Sequence, residues 1–267
     1  MVSYVIEALR FLNEEERTRA YKEPISKGYS FFDFFSFNSI NEHRTISELL
    51  QLMPKSVRSD VFNHVNEFGL NIFDKLADEF PDHSQTESLE ILNNALKLIS
   101  KDNVQTLFER KNRFGTTLFH RLASPITYHD TKKSRKEKTR ARLETSALNR
   151  FLNKLSDEQR ASVITEKVGR TDTPFIFAYA ASPFSYLKPG RDVFIKLLRS
   201  IPEDKKAEVF SSKFKGRSLI DIISEKFTQK FLAKNGSEEF FSSLVDTMPT
   251  EFQDLVHLTQ KVIRSSH

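Results

Sequence analysis

Apolar residues in this chain recur at helical spacing, in stretches closed by a capping residue or proline. Around Arg191–Ser200, Val193, Phe194, Leu197, Leu198 and Ile201 follow the i, i+3/i+4, i+7/i+8 rule of an amphipathic helix. Pro202 ends that stretch, and a proline is tolerated as the first residue of the helix that follows. The acidic start Glu203-Asp204 suits a helix N-terminus, and Val209 and Phe210 are delivered to the core. Gly216 breaks this second helix. Ser218 can then cap a third, short helix with Leu219, Ile222 and Ile223 facing inward.

The same three-helix phrase runs along the whole chain. Its capping positions are Asn13, Pro54, Ser100, Ser156, Pro202 and Pro249, separated by 41, 46, 56, 46 and 47 residues. The clearest copies place an apolar pair seven and eight residues after the cap: Val61–Phe62, Leu107–Phe108 and Val209–Phe210. A period in this range marks a repeat array, in which no unit buries its apolar face alone. The expected fold is therefore all-α, a helical-repeat solenoid of about six units forming a single domain over residues 1–267.

The third helix opens with a recurring motif. It reads Gly28-Tyr-Ser-Phe-Phe-Asp33, Gly69-Leu-Asn-Ile-Phe-Asp74, Gly115-Thr-Thr-Leu-Phe-His120 and Gly216-Arg-Ser-Leu-Ile-Asp221, with Thr173-Pro-Phe-Ile-Phe-Ala178 in the fourth unit. These phrases resemble the G-x-T-P-L-H-x-A core of ankyrin repeats, most closely at Gly115–Ala123 and Thr173–Ala178. The units here are longer than the ankyrin period of about 33 residues, by an extra helix that takes the place of the usual β-hairpin finger. Long, Phe-rich units of this kind resemble those of effector proteins from intracellular bacteria. The resemblance spans Ala8 to Val262. It implies a solenoid that binds a protein partner, either a host protein or another effector. It also implies passage from the bacterial cytoplasm to the host cytosol, and no catalytic residues. A HEAT- or armadillo-like α-solenoid is the alternative architecture; its repeat length fits better and its motif fits worse.

Charge adds one local feature. The chain carries 41 Lys and Arg against 36 Asp and Glu, yet Thr131–Arg142 alone holds seven basic residues and one acidic. The stretch falls in the long 56-residue spacing, as an insertion over residues 125–145. Insertions in repeat arrays map to loops on one face, often the binding face. A smaller insertion, Ser182–Arg191, occupies the same place one unit later. The candidate partner-binding residues are thus Lys132, Lys133, Arg135, Lys136, Lys138, Arg140 and Arg142, with Tyr186 and Lys188 from the second insertion. An acidic protein surface is favoured. Nucleic acid is disfavoured, because aromatic residues for base stacking are scarce beside the cluster. An adaptor that binds nucleic acid or anionic lipid is the alternative function. The competing structural reading is a solvated charge run that extends the following helix.

Signatures of chemistry are missing. The chain has no Cys, which excludes disulfides and thiolate metal sites. Its seven His make no H-x-x-x-H or H-E-x-x-H spacing, and no phosphate-binding or nucleophile-elbow motif occurs. Asp33, Asp74 and Asp221 share one repeat position, and helix-to-helix spacing of roughly 10 Å keeps them too far apart to act together. They read as carboxylates that stabilise the turn and the helix dipole. No cofactor, metal or enzymatic activity is expected. No run approaches the roughly 20 apolar residues of a membrane span, so a soluble protein is expected. The run Phe31–Phe37 is expected to pack the first unit into the stack, with part of its aromatic surface exposed.

Overall fold

The computed structural model describes residues 2–35, 40–78, 86–112, 115–123, 135–168, 173–182, 185, 190–230 and 237–253. It is predominantly helical, and its elements follow the sequence period. The first helices of successive repeats are α1 (Val2–Phe11), α3 (Ile40–Leu52), α6 (Thr86–Leu98), α9 (Arg135–Lys154), α12 (Gly190–Arg199) and α15 (Ser237–Val245). The second helices are α2 (Glu14–Ser26), α4 (Arg58–Asn63), α7 (Lys101–Glu109), α10 (Asp157–Val163) and α13 (Glu203–Ser211). The third are a 3₁₀ turn at Phe31–Phe34, then α5 (Ile72–Asp78), α8 (Leu118–Ala123), α11 (Phe175–Ala181) and α14 (Leu219–Lys230).

Every capping position found in the sequence begins a helical turn. Asn13 accepts the Glu16 backbone N–H at 3.0 Å while the Glu16 carboxylate accepts the Asn13 N–H at 2.9 Å, a reciprocal box that satisfies two orphan donors. Ser156 and Gln159 repeat it at 3.2 and 2.9 Å. Ser100 caps Asn103 at 3.3 Å. Pro54 and Pro202 stand at the cap itself, not at the first helical residue, with φ near −60° and −54° and extended ψ of 148° and 139°. The proline ring presets the φ that a cap needs, and extended ψ avoids the strain of a following helical residue. After Pro249, its carbonyl accepts from Phe252 N at 2.9 Å and opens the last described turn.

Strands occur where the sequence reading placed none. Lys167–Val168 (β1) pairs antiparallel with Thr173–Pro174 (β2), and Lys213–Phe214 (β3) with Arg217–Ser218 (β4). Lys111 and Thr117 form one bridge at the equivalent place. Short antiparallel hairpins therefore stand beside the extra helix, which the sequence reading puts in a hairpin's place. The turn explains why. Lys215 and Gly216 have φ of 52° and 78°, the pair of left-handed residues that closes a two-residue hairpin. An added Cβ on Gly216 would meet nothing within 4 Å, so the backbone conformation alone selects glycine there.

The packing resolves two compact bodies. The first comprises Met1–Leu122 with Asp130–Lys154, the second Leu155–His267 with Ala123–His129. In the first body α1 packs on α3, α3 on α6 and α6 on α9, while α2 packs on α4 and α4 on α7. In the second, α12 packs on α15, α11 on α14 and α13 on α14. The apolar stripes meet at these contacts. Ile46, Leu92, Ala95, Leu96, Leu148 and Leu152 are fully buried in the first body, and Phe175, Phe194, Leu197 and Leu198 in the second. Each of these Leu, Ile and Phe side chains contributes about 1.5–3 kcal/mol through burial. Among the described residues no helix is long and apolar enough to cross a membrane.

Candidate interaction surface

The recurring motif builds polar caps in both bodies. At the four third-helix starts that carry the motif glycine, the residue two after it and the residue three further on cap each other, whereas α11 begins after Pro174 without a side-chain cap. Ser30 donates its backbone N–H and its hydroxyl to Asp33 Oδ2 at 2.7 and 3.1 Å. Asn71 and Asp74 exchange backbone-to-side-chain bonds of 3.0 and 2.9 Å, and Ser218 and Asp221 do the same at 2.8 and 3.1 Å. In the third repeat Thr117 and His120 meet at 2.8 Å. The expected turn-stabilising carboxylates are these boxes.

The structure adds a partner that the sequence did not reveal. Lys75, next to the motif carboxylate of its own repeat, reaches back to Asp33 Oδ1 at 3.0 Å and to the Phe32 carbonyl at 3.2 Å. His64 Nε2 lies 3.3 Å from the other Asp33 oxygen. One repeat on, Arg110 pairs with Asp74 and donates to the Gly69 carbonyl at 3.2 Å. Arg121, at the position equivalent to Lys75, donates to the Asp74 carbonyl at 3.3 Å. Lys75 therefore clamps the cap at Asp33, and Arg110 and Arg121 the cap at Asp74. Burial pushes the Asp33 carboxyl up, but the Ser30 N–H, the Lys75 ammonium and the Ser30 hydroxyl outweigh it and hold it below its ordinary value.

A depressed folded-state value means that the stabilisation is complete above the unfolded pKa of about 3.9 and lost as pH falls through the folded one. The stability difference between wild type and Asp33→Asn, measured by urea titration, should shrink as pH falls below about 4. A difference that ignored pH would exclude this role for Asp33.

One pair has the outline of a catalytic dyad. Ser88 Oγ lies 2.9 Å from His43 Nε2, within reach for general-base activation. Both residues lie inside the α3–α6 contact, at 2 % and 5 % exposure. A nucleophile must meet its substrate, and this hydroxyl faces packed helices; the bond joins α3 to α6. Among the described residues no group of three His, Asp or Glu could hold a metal ion.

The basic stretch is divided. Lys132, Lys133, Tyr186 and Lys188 lie outside the described residues. Arg135, Lys136, Lys138, Arg140 and Arg142 do not belong to a loop, as the insertion reading expected, but to the first turns of α9. Two causes extend the helix backwards. Lys, Arg, Glu and Ala are good helix formers. Ala141, Thr145, Leu148 and Leu152 also form a buried stripe that begins inside the basic stretch. Polar bonds reinforce the register, with Asn93 donating to the Leu143 carbonyl at 3.0 Å and Arg150 to Asn93 at 3.1 Å. Arg140 pairs with Glu144 at 2.9 Å, and Arg142 is exposed. Arg135, Lys136 and Lys138 fall in the first turn of α9, where positive charge opposes the helix dipole.

A second surface is apolar. Within the run Phe31–Phe37, Phe32 and Phe35 are buried, while Phe34 is 65 % exposed. Its ring meets that of exposed Tyr29 edge-on, with centroids 5.2 Å apart. Val65 and Phe68 are exposed as well. His64, beside Val65, contacts Asp33, beside Phe34, which brings the two segments together. Asn66 stiffens the second segment by accepting from the N–H groups of Phe68 and Leu70 at 3.0 and 3.1 Å. Sequence reasoning anticipated the exposure around Phe34 and missed Val65 and Phe68; an aromatic placed directly before the motif glycine is the signal that could have found them. No family model, curated protein or solved structure matches this chain.

Proposed function

We propose that this chain is a non-enzymatic protein-interaction module, built as a helical-repeat solenoid of ankyrin-like units. The observation that carries this reading is the exposed apolar set Tyr29, Phe34, Val65 and Phe68, held on capped turns and stiffened by an Asx bond. Large apolar side chains clustered on a protein surface mark sites that a partner covers. The cationic start of α9 adds an electrostatic element suited to an acidic protein surface. With the resemblance of the repeats to those of bacterial effectors, the reading becomes an effector, or a regulator of one, that holds a host or bacterial protein.

Affinity capture from bacterial and host lysates, quantified by mass spectrometry, tests this. Wild type should retain one protein at near-equal stoichiometry. Phe34→Glu with Phe68→Glu should reduce its recovery at least about tenfold, the loss of a hot-spot pair. Charge reversal at Arg140 and Arg142 should weaken it less and make it less sensitive to salt. Loss of RNA or vesicle binding in the charge-reversed variant, with no protein recovered by wild type, would favour the nucleic-acid or lipid adaptor instead.

A further inference from the structure

We propose that the two hairpins of the second body, β1–β2 and β3–β4, form a docking surface for an acidic segment of a partner protein. This rests on the reading of the chain as an interaction module and adds to it a surface that the first body does not contain. α11 carries both hairpins: β1 and β2 pack against it, and its Phe177 ring meets that of Phe214 in β3 at 6.0 Å between centroids. Three lysines are exposed on them, Lys167 in β1, Lys213 in β3 and Lys215 at the turn. Among the described residues no carboxylate lies within ion-pair distance of any of the three. The carboxylates beside the β3–β4 hairpin are committed elsewhere. Glu225 pairs with Arg217, and Asp221 accepts the Ser218 N–H at 2.8 Å.

Lysine at this turn is a costly choice. Lys215 has a φ of 52° and is the one non-glycine with positive φ among the described residues. There the Cβ crowds the next carbonyl oxygen, which is why Asn, Asp and Gly dominate this place in two-residue hairpins. Its ammonium lies 5.4 Å from the centroid of the neighbouring Phe214 ring and makes no ion pair. A charge kept at a strained and exposed turn, beside two other unpaired lysines, is explained by something outside the chain that it attracts. The occupant follows from what accompanies the charge. Phe214, the aromatic residue of these strands, is half-buried against Phe177, so no ring is open for a base to stack on. The strands expose no large apolar side chain that could enter a bilayer, and three lysines alone hold anionic lipid weakly. Carboxylates on a protein segment need neither.

The test uses the full chain and a fluorescein-labelled oligo-glutamate peptide, read by anisotropy. Wild type should bind the peptide, and more weakly as salt is raised. Lys167→Gln, Lys213→Gln and Lys215→Asn combined should weaken binding about tenfold, whereas Lys167→Arg with Lys213→Arg should keep it. Lys215→Asn alone should weaken binding and yet raise the melting temperature by about 2 °C, because asparagine accepts positive φ. A triple variant that binds the peptide as tightly as wild type overturns the proposal. So does a melting temperature that Lys215→Asn leaves unchanged or lowers. A larger loss from Arg140→Gln with Arg142→Gln would move the acidic partner to α9 and sink the hairpin site. Loss confined to a thymidine oligonucleotide or to phosphatidylserine vesicles would do the same. The peptide needs no apolar surface, so a failed titration leaves the interaction reading standing, and a failed lysate capture leaves the titration readable.

Discussion

Asp74→Ala is expected to destabilise the first body by about 3–5 kcal/mol, the cost of removing one member of a buried charge pair. Asp74 is 1 % exposed and holds three things together. It accepts the Asn71 N–H, its own N–H is capped by Asn71, and its carboxylate pairs with Arg110 from the next repeat. Alanine leaves the Arg110 guanidinium part-buried without its carboxylate. Asp74→Asn keeps an oxygen for the cap but loses the charge, and should cost less. Asp74→Ala combined with Arg110→Ala should lose less than the sum of the two single changes, because the second change removes the unpaired cation. Urea denaturation midpoints of the four variants, each against wild type, measure this. A loss under about 1 kcal/mol for Asp74→Ala would show that the clamp is ornamental, as for an exposed ion pair.

Phe62→Ala should cost a similar amount, about 3–5 kcal/mol, through lost burial and the cavity it leaves. Phe62 is fully buried, and its ring meets that of Phe73 at 5.1 Å between centroids. The contact joins the second helix of a repeat to the third, so the cavity opens between elements that cannot both close on it. Phe62→Leu should recover more than half of the loss, since it restores most of the volume. Thermal melts that left Phe62→Ala within a few degrees of wild type would contradict this burial.

These two residues differ in how far the sequence exposed their roles. Phe62 was legible: it sits eight residues after a cap, in the stripe that every repeat shows. Asp74 was legible only in part. Its capping role follows from local spacing, since Asn71 and Asp74 are close along the chain in any helix start. Its clamp by Arg110 comes from a residue 36 positions away, and no local rule predicts that pairing. The interaction surfaces divide in the same way. The aromatic run around Phe34 was visible as an excess of Phe over what one helical stripe can bury. Val65 and Phe68 were not, because their exposure depends on how the segment before Gly69 lies. The start of α9 was left open by the sequence: a block of like charge fits a loop insertion or an extension of the following helix, and the buried stripe beginning at Ala141 decides for the helix.

Caps, periods and turn glycines were determined by the sequence alone, because each depends on residues within four or five positions of one another and on φ values that few side chains accept. The tertiary structure decided which cation clamps which cap, that helix runs through the described end of the basic stretch, and that short hairpins stand beside the extra helix. Those outcomes depend on neighbours a full repeat away, and burial there outweighs local preference because each buried side chain contributes more than a propensity difference of a few tenths of a kcal/mol.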